Sequence, residues 1–145
     1  MQPVLFIIFI GLLGGMAAGV QAPLSSMITQ RLGVMESVFI VHIGGAVAAV
    51  IPLVVYGGGK LSNWRSVPWY ALCAGIFGFV VIFSMSYMIP RIGVGTALII
   101  LLAGQLLIGT ILDHFGLLGA SVRPLDTTRI VGLSVVLLGV WLSVK

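Results

Sequence analysis

Charge is what this sequence has least of. Only 7% of its 145 residues are charged, and just three are acidic, where an average soluble domain is about 25% charged. A soluble chain of this length would need polar side chains to cover a single domain. With 60% hydrophobic residues the chain cannot supply them, and a bilayer is the solvent that fits. One cysteine, Cys73, excludes an intrachain disulfide and a cysteine-built metal site. The acids Glu36 and Asp113 stand near the ends of apolar runs, and no Ser/His/Asp spacing, HExxH or CxxC occurs. Gly57-Gly58-Gly59-Lys60 lacks the spacing and the Ser/Thr of a phosphate loop. No enzyme chemistry, metal or cofactor is therefore expected. The net charge of +4 comes from cations scattered singly at run ends. Membrane-interface anchors are placed that way, whereas a nucleic-acid surface clusters its cations.

What is present is apolar sequence in long runs. Five spans are predicted, at residues 3–24, 37–56, 68–89, 92–112 and 130–144, against a hydrocarbon layer of about 30 Å. A cleaved signal peptide competes for the first span. The uncharged Met1-Gln2 start and Pro23 after the small-residue site Val20-Gln21-Ala22 argue against it. Arg31 and Glu36 bracket the first turn, Gly57-Gly58-Gly59 ends the second span, and Pro90-Arg91 ends the third. The fifth span is short, with Arg129 and Lys145 placed to snorkel.

An odd number of spans puts the termini on opposite sides. The N-terminal side carries Lys60, Arg65, Arg123 and Arg129, and the other side carries Arg31, Arg91 and Lys145. So small a bias fits insertion in both orientations as well as a weak preference for the N-terminus inside. Small residues recur at helical spacing: Gly11, Gly15 and Gly19; Gly45 and Ala49; Ala71, Gly75 and Gly78; Gly132 and Gly139. Such stripes let helix backbones approach closely, so a tightly packed bundle is expected.

A polar side chain inside an apolar span needs a partner or a pathway. Gln21, His42, Ser84, Ser86, Tyr87, Thr96 and Gln105 meet that description, with Asp113 and His114 at a span end. Gln105, Gly109 and Asp113 share one helix face. Gln105 is either a hydrogen-bonding group in a substrate cavity or a tie between helices. His42 is either a proton carrier or a packing residue. Asp113 and His114, beside Arg123 or Arg129, read as a structural cap at the helix end.

Several stretches then look familiar. Pro90-Arg91-Ile92-Gly93-Val94-Gly95-Thr96-Ala97, Ala103-Gly104-Gln105-Leu106, Asp113-His114-Phe115-Gly116 and Arg123-Pro124-Leu125 occur in this order. With Gln21, Ile28-Thr29-Gln30 and the Gly132 to Gly139-Val140 helix, they resemble the short YdcZ-type branch of the drug/metabolite transporter superfamily over essentially the whole chain. The resemblance implies an all-α integral membrane protein equal to one EamA-like half, completed by an inverted partner. The superfamily's small multidrug members use a first-helix glutamate for proton and cation exchange. This chain has Gln21 there instead, so that role is not carried over.

The resulting expectation is a multi-pass inner-membrane transporter subunit. It would export a neutral or amphipathic small-molecule solute as an antiparallel homodimer, or with a paralogous five-helix subunit. Membrane lipid surrounds it and no nucleic acid is a partner. Its cavity is expected among spans one to four, lined by Gln21, Tyr87, Thr96 and Gln105, with span five holding the dimer. The alternative is a non-transporting accessory, assembly or lipid-handling scaffold protein.

Overall fold

The computed structural model describes residues 4–145; Pro3, the expected start of the first span, lies outside them. The helices are α1 (Val4–Leu32), α2 (Val34–Val55), α3 (Trp69–Leu72), α4 (Gly75–Ile92), α5 (Val94–Phe115) and α6 (Thr127–Val144), with short 3₁₀ segments at Leu61–Ser66 and Leu117–Gly119. No strand occurs among the described residues. Five stretches are long and apolar enough to cross a membrane: α1, α2, Trp69–Ile92 (α3 with α4), α5 and α6. The chain is an all-α membrane protein with five transmembrane helices.

The span ends differ from those read in the sequence, for local reasons. α1 does not stop near Leu24 but continues to Leu32. The hydroxyls of its polar last turns are bonded within the protein, and no helix breaker intervenes before Gly33. Pro90 does not end α4, which runs through it to Ile92. Proline's fixed φ is helical, and membrane helices re-satisfy the carbonyl it frees. Glycine makes both breaks, Gly33 at φ 117° and Gly93 at φ 80°, each with ψ 165°. A side chain at either position would be strained. The third span is not one uninterrupted α-helix. At Cys73 and Ala74 the backbone switches to i→i+3 bonds, Cys73 N to Tyr70 O at 3.3 Å and Ala74 N to Ala71 O at 3.2 Å, a tighter 3₁₀ winding.

The chain divides into two compact units, one closing at Pro90 and the other Arg91–Lys145. In the first, α1 packs on α2; in the second, α5 packs on α6. Among the described residues the buried ones are Ala22, Ser25, Ser26, Ser37, Ile82, Met85, Ser86, Ala97 and Ala103, while most large apolar side chains are exposed. This inversion of a soluble core follows from the solvent. Lipid does not drive leucines together, so contacts form where small side chains let helices close in. Most of the expected glycine stripe is not used in that way. A Cβ at Gly11, Gly15, Gly45, Gly75, Gly132 or Gly139 would meet nothing within 4 Å, whereas Gly78 abuts the His42 ring.

The buried set repeats. Ala22, Ser25, Ser26 and Ser37 stand sixty positions before Ile82, Met85, Ser86 and Ala97. The turn Arg31-Leu32-Gly33-Val34 likewise stands sixty positions before Arg91-Ile92-Gly93-Val94. Each glycine carbonyl starts the next helix in the same way, accepting from Ser37 N at 3.1 Å and from Ala97 N at 3.2 Å. Residues 22–37 and 82–97 thus share one register of buried positions and one glycine turn.

Candidate functional site

The polar groups of the second unit gather along the α5–α6 pair. At one end, Thr96 Oγ1 donates to Ser143 O at 3.3 Å. At the other, Asp126 caps α6, its Oδ1 accepting from Arg129 N at 2.7 Å, a common way of satisfying a free first-turn N–H. That cap fixes where Arg129 begins. Its guanidinium then reaches Asp113 Oδ2 at 3.5 Å and Arg123 O at 3.2 Å. The ion pair is long, its side chains 31% and 41% exposed, and such pairs contribute about 0–1 kcal/mol in water. The loop between α5 and α6 is stitched to the same corner. Arg123 N donates to Asp113 O at 2.8 Å, and Leu125 N donates to His114 Nδ1 at 3.1 Å.

Between these ends lies a cleft of about 400 Å³ whose polar lining is Gln105, Thr110, Asp113 and Arg129. Gly109 on α5 and Gly132 on α6 open it, and Leu106, Leu133 and Val136 form its apolar walls. Thr110 is occupied, donating to Leu106 O at 2.7 Å. Gln105 is exposed and makes no hydrogen bond among the described residues. The arrangement offers a carboxamide with two donors and an acceptor, and an ion pair a few helical turns along, in an otherwise apolar slot. It can hold a small molecule with one polar end. The cleft lies against α6, so span five, read from the sequence as the dimer helix, supplies part of its wall.

The first unit holds the other sequence candidates. Gln21 is exposed on α1, and Tyr87 is 56% exposed on α4. His42 Nδ1 donates to Val38 O at 2.8 Å, and its Nε2 lies 2.6 Å from where a Gly78 Cβ would stand. The ring occupies the space that the glycine leaves beside α4. Sequence reasoning singled out Ser86 but passed over the buried hydroxyls that meet near it. Ser86 Oγ and Thr29 Oγ1 are 2.8 Å apart, and Ser37 Oγ donates to Ser25 O at 2.9 Å. Gln30 Nε2 donates to Ser26 Oγ at 3.2 Å. Every buried polar side-chain atom among the described residues has a partner, so this cluster ties α1 to α2 and α4. The Ser25-Ser26 pair inside an apolar run was its visible signal. Thr110 and Arg129 were also absent from the expected cavity, because their sharing of one cleft with Gln105 depends on how α6 returns. Among the described residues no group of three His, Cys, Asp or Glu could hold a metal ion.

Residues 6–142 match the family described as "Putative inner membrane exporter, YdcZ". No curated protein and no solved structure matches the chain. Five apolar helices and a match over nearly the whole length lead to one conclusion: this multi-pass inner-membrane protein belongs to the YdcZ exporter family.

Proposed function

We propose that the chain is one subunit of an exporter for small neutral or amphipathic solutes, taking them through the α5–α6 cleft. The observation that carries this reading is the Gln105 carboxamide, exposed in an apolar slot with no bond of its own. Such a group is costly in hydrocarbon unless a polar partner comes to it. A carboxylate buried beside it would favour a cation; the cleft has instead an Asp113–Arg129 pair of no net charge. The test is a cysteine at Gln105 in a chain whose Cys73 is replaced by alanine. Labelling by a membrane-impermeant maleimide, slowed by an exported solute, is the expected result. A thiol that stays unreactive in membranes would sink the export route and leave the scaffold reading.

The subunit works as an antiparallel homodimer or beside a paralogous five-helix chain, each forming one half of the transporter. Two features support this: the near-even Lys/Arg count on the two sides, and the α1 glycines Gly11, Gly14 and Gly15, open to a second chain's backbone. Reporters active only inside or only outside, fused to the C-terminus, should both give signal. A single active reporter, unchanged by one added lysine in either loop, would show that this chain inserts one way and would count against the homodimer.

A further inference from the structure

Away from the proposed export cleft, Arg31 lines one largely apolar groove that shares Leu32 and Ile40 with a second. Leu24, Met27, Ile28, Arg31 and Leu32 fall at i, i+3, i+4, i+7 and i+8, one stripe of α1. With Ile40 of α2 they line a groove of about 560 Å³. Leu32 and Ile40 also border a second groove, of about 320 Å³, shared with Met35, Glu36 and Phe39. Neither groove is covered by the chain itself: Leu24 is 53% exposed, Met27 51%, Leu32 59% and Phe39 65%. From Leu24 to Leu32 the stripe rises roughly 12 Å at about 1.5 Å per residue, close to the depth of one leaflet, about 15 Å.

Arg31 lies in the last turn of α1, where the span meets the membrane surface. Its side chain makes no hydrogen bond or ion pair among the described residues. Glu36, the nearest acid in sequence, is folded back against Gly33 in the first turn of α2, where the helix dipole favours a negative charge. Arg31 therefore remains available. We propose that this hairpin binds one anionic phospholipid, with its phosphate on Arg31 and its two acyl chains in the two grooves. The twin grooves favour a two-tailed lipid, and the uncompensated guanidinium favours an anionic head. The matching stretch sixty positions later is built differently. Ser84 and Tyr87 stand sixty positions after Leu24 and Met27, so its stripe is interrupted by polar groups although Arg91 occupies the matching turn. This inference is independent of export and stands or falls separately from it.

The test is native mass spectrometry of the purified chain, with palmitoyl-oleoyl phosphatidylglycerol or phosphatidylcholine added to the detergent. Wild type should retain one phosphatidylglycerol in preference to phosphatidylcholine. Arg31→Gln should lower that retention about fivefold, the effect of about 1 kcal/mol for one arginine near an anionic surface. Arg31→Lys should recover most of it, and Arg91→Gln should leave it unchanged. Should Arg31→Gln fail to purify as a single species, Met27→Ser, which leaves the charge and roughens the groove, should give the loss. Equal retention of the two lipids by wild type would overturn the site. So would undiminished phosphatidylglycerol on a folded Arg31→Gln or Met27→Ser chain, or an equal loss with Arg91→Gln. Displacement of the lipid by millimolar glycerol phosphate would show a headgroup site without the grooves, and would overturn it equally.

Discussion

Ala97→Leu is expected to remove most of the folded chain, whereas Ser37→Ala, at the position sixty residues earlier, is expected to cost little. Both native residues have no exposed surface, and both sit in the first turn after a glycine break. A leucine at position 97 adds three carbons where none of the native side chain reaches lipid. Overpacking of this kind costs about 1–3 kcal/mol, occasionally more. Ser37→Ala removes only the bond from Ser37 Oγ to Ser25 O, 2.9 Å long, and interhelical bonds in membranes average about 0.6 kcal/mol. Ser37→Leu should resemble Ala97→Leu. The measurement is the monodisperse fraction in mild detergent and its thermal midpoint. If Ala97→Leu melts like wild type, position 97 faces open space and small size is not what these buried positions require. A Ser37→Ala defect larger than that of Ala97→Leu would make the hydroxyl, not the small volume, the essential feature.

Gln105→Leu is expected to lower export about tenfold while leaving the folded yield unchanged. Losing one well-made hydrogen bond to a bound solute removes about 1.4 kcal/mol, a factor of ten. No described residue bonds the carboxamide, so folding loses nothing there when it is removed. Asp113→Asn is the informative contrast. Asp113 meets Arg129 at the corner where the Asp113 carbonyl and the His114 ring hold the returning loop. Its loss should appear in yield and less in export per folded molecule. The assay is expression-dependent resistance to a panel of toxic amphipathic compounds, normalised to protein in the membrane. Full yield with abolished export for Asp113→Asn would move that residue into the solute path. Unchanged export for Gln105→Leu would remove Gln105 from it.

Some of the site was legible before any coordinates. Gln105, Gly109 and Asp113 share a helix face by spacing alone, and all three line the cleft. Asp113 was expected beside Arg123 or Arg129, which flank the same loop, and it meets Arg129. Span limits were less legible because two signals compete at Pro90: proline reads as a stop in water, yet its φ suits a helix that lipid forces to stay closed. The repeated Arg-Leu/Ile-Gly-Val turn was present in the sequence and went unread there. Its significance lies in the same register of burial at residues 22–37 and 82–97.

The sequence by itself determined the solvent, the class and the number of spans. These depend on sums over about twenty residues, and a run of apolar side chains leaves its backbone no option in lipid but a helix. Tertiary structure decided the rest. Which hydroxyls pair, which glycine receives a ring, and which helix supplies the far wall of the Gln105 cleft are set by contacts between residues distant in the chain. Composition is blind to those contacts because, in lipid, no hydrophobic gradient marks one face of a helix as the inside. Most buried side chains here are serines and alanines, while most leucines and phenylalanines are exposed. A pattern that would reveal the core of a soluble protein carries no such information in this one.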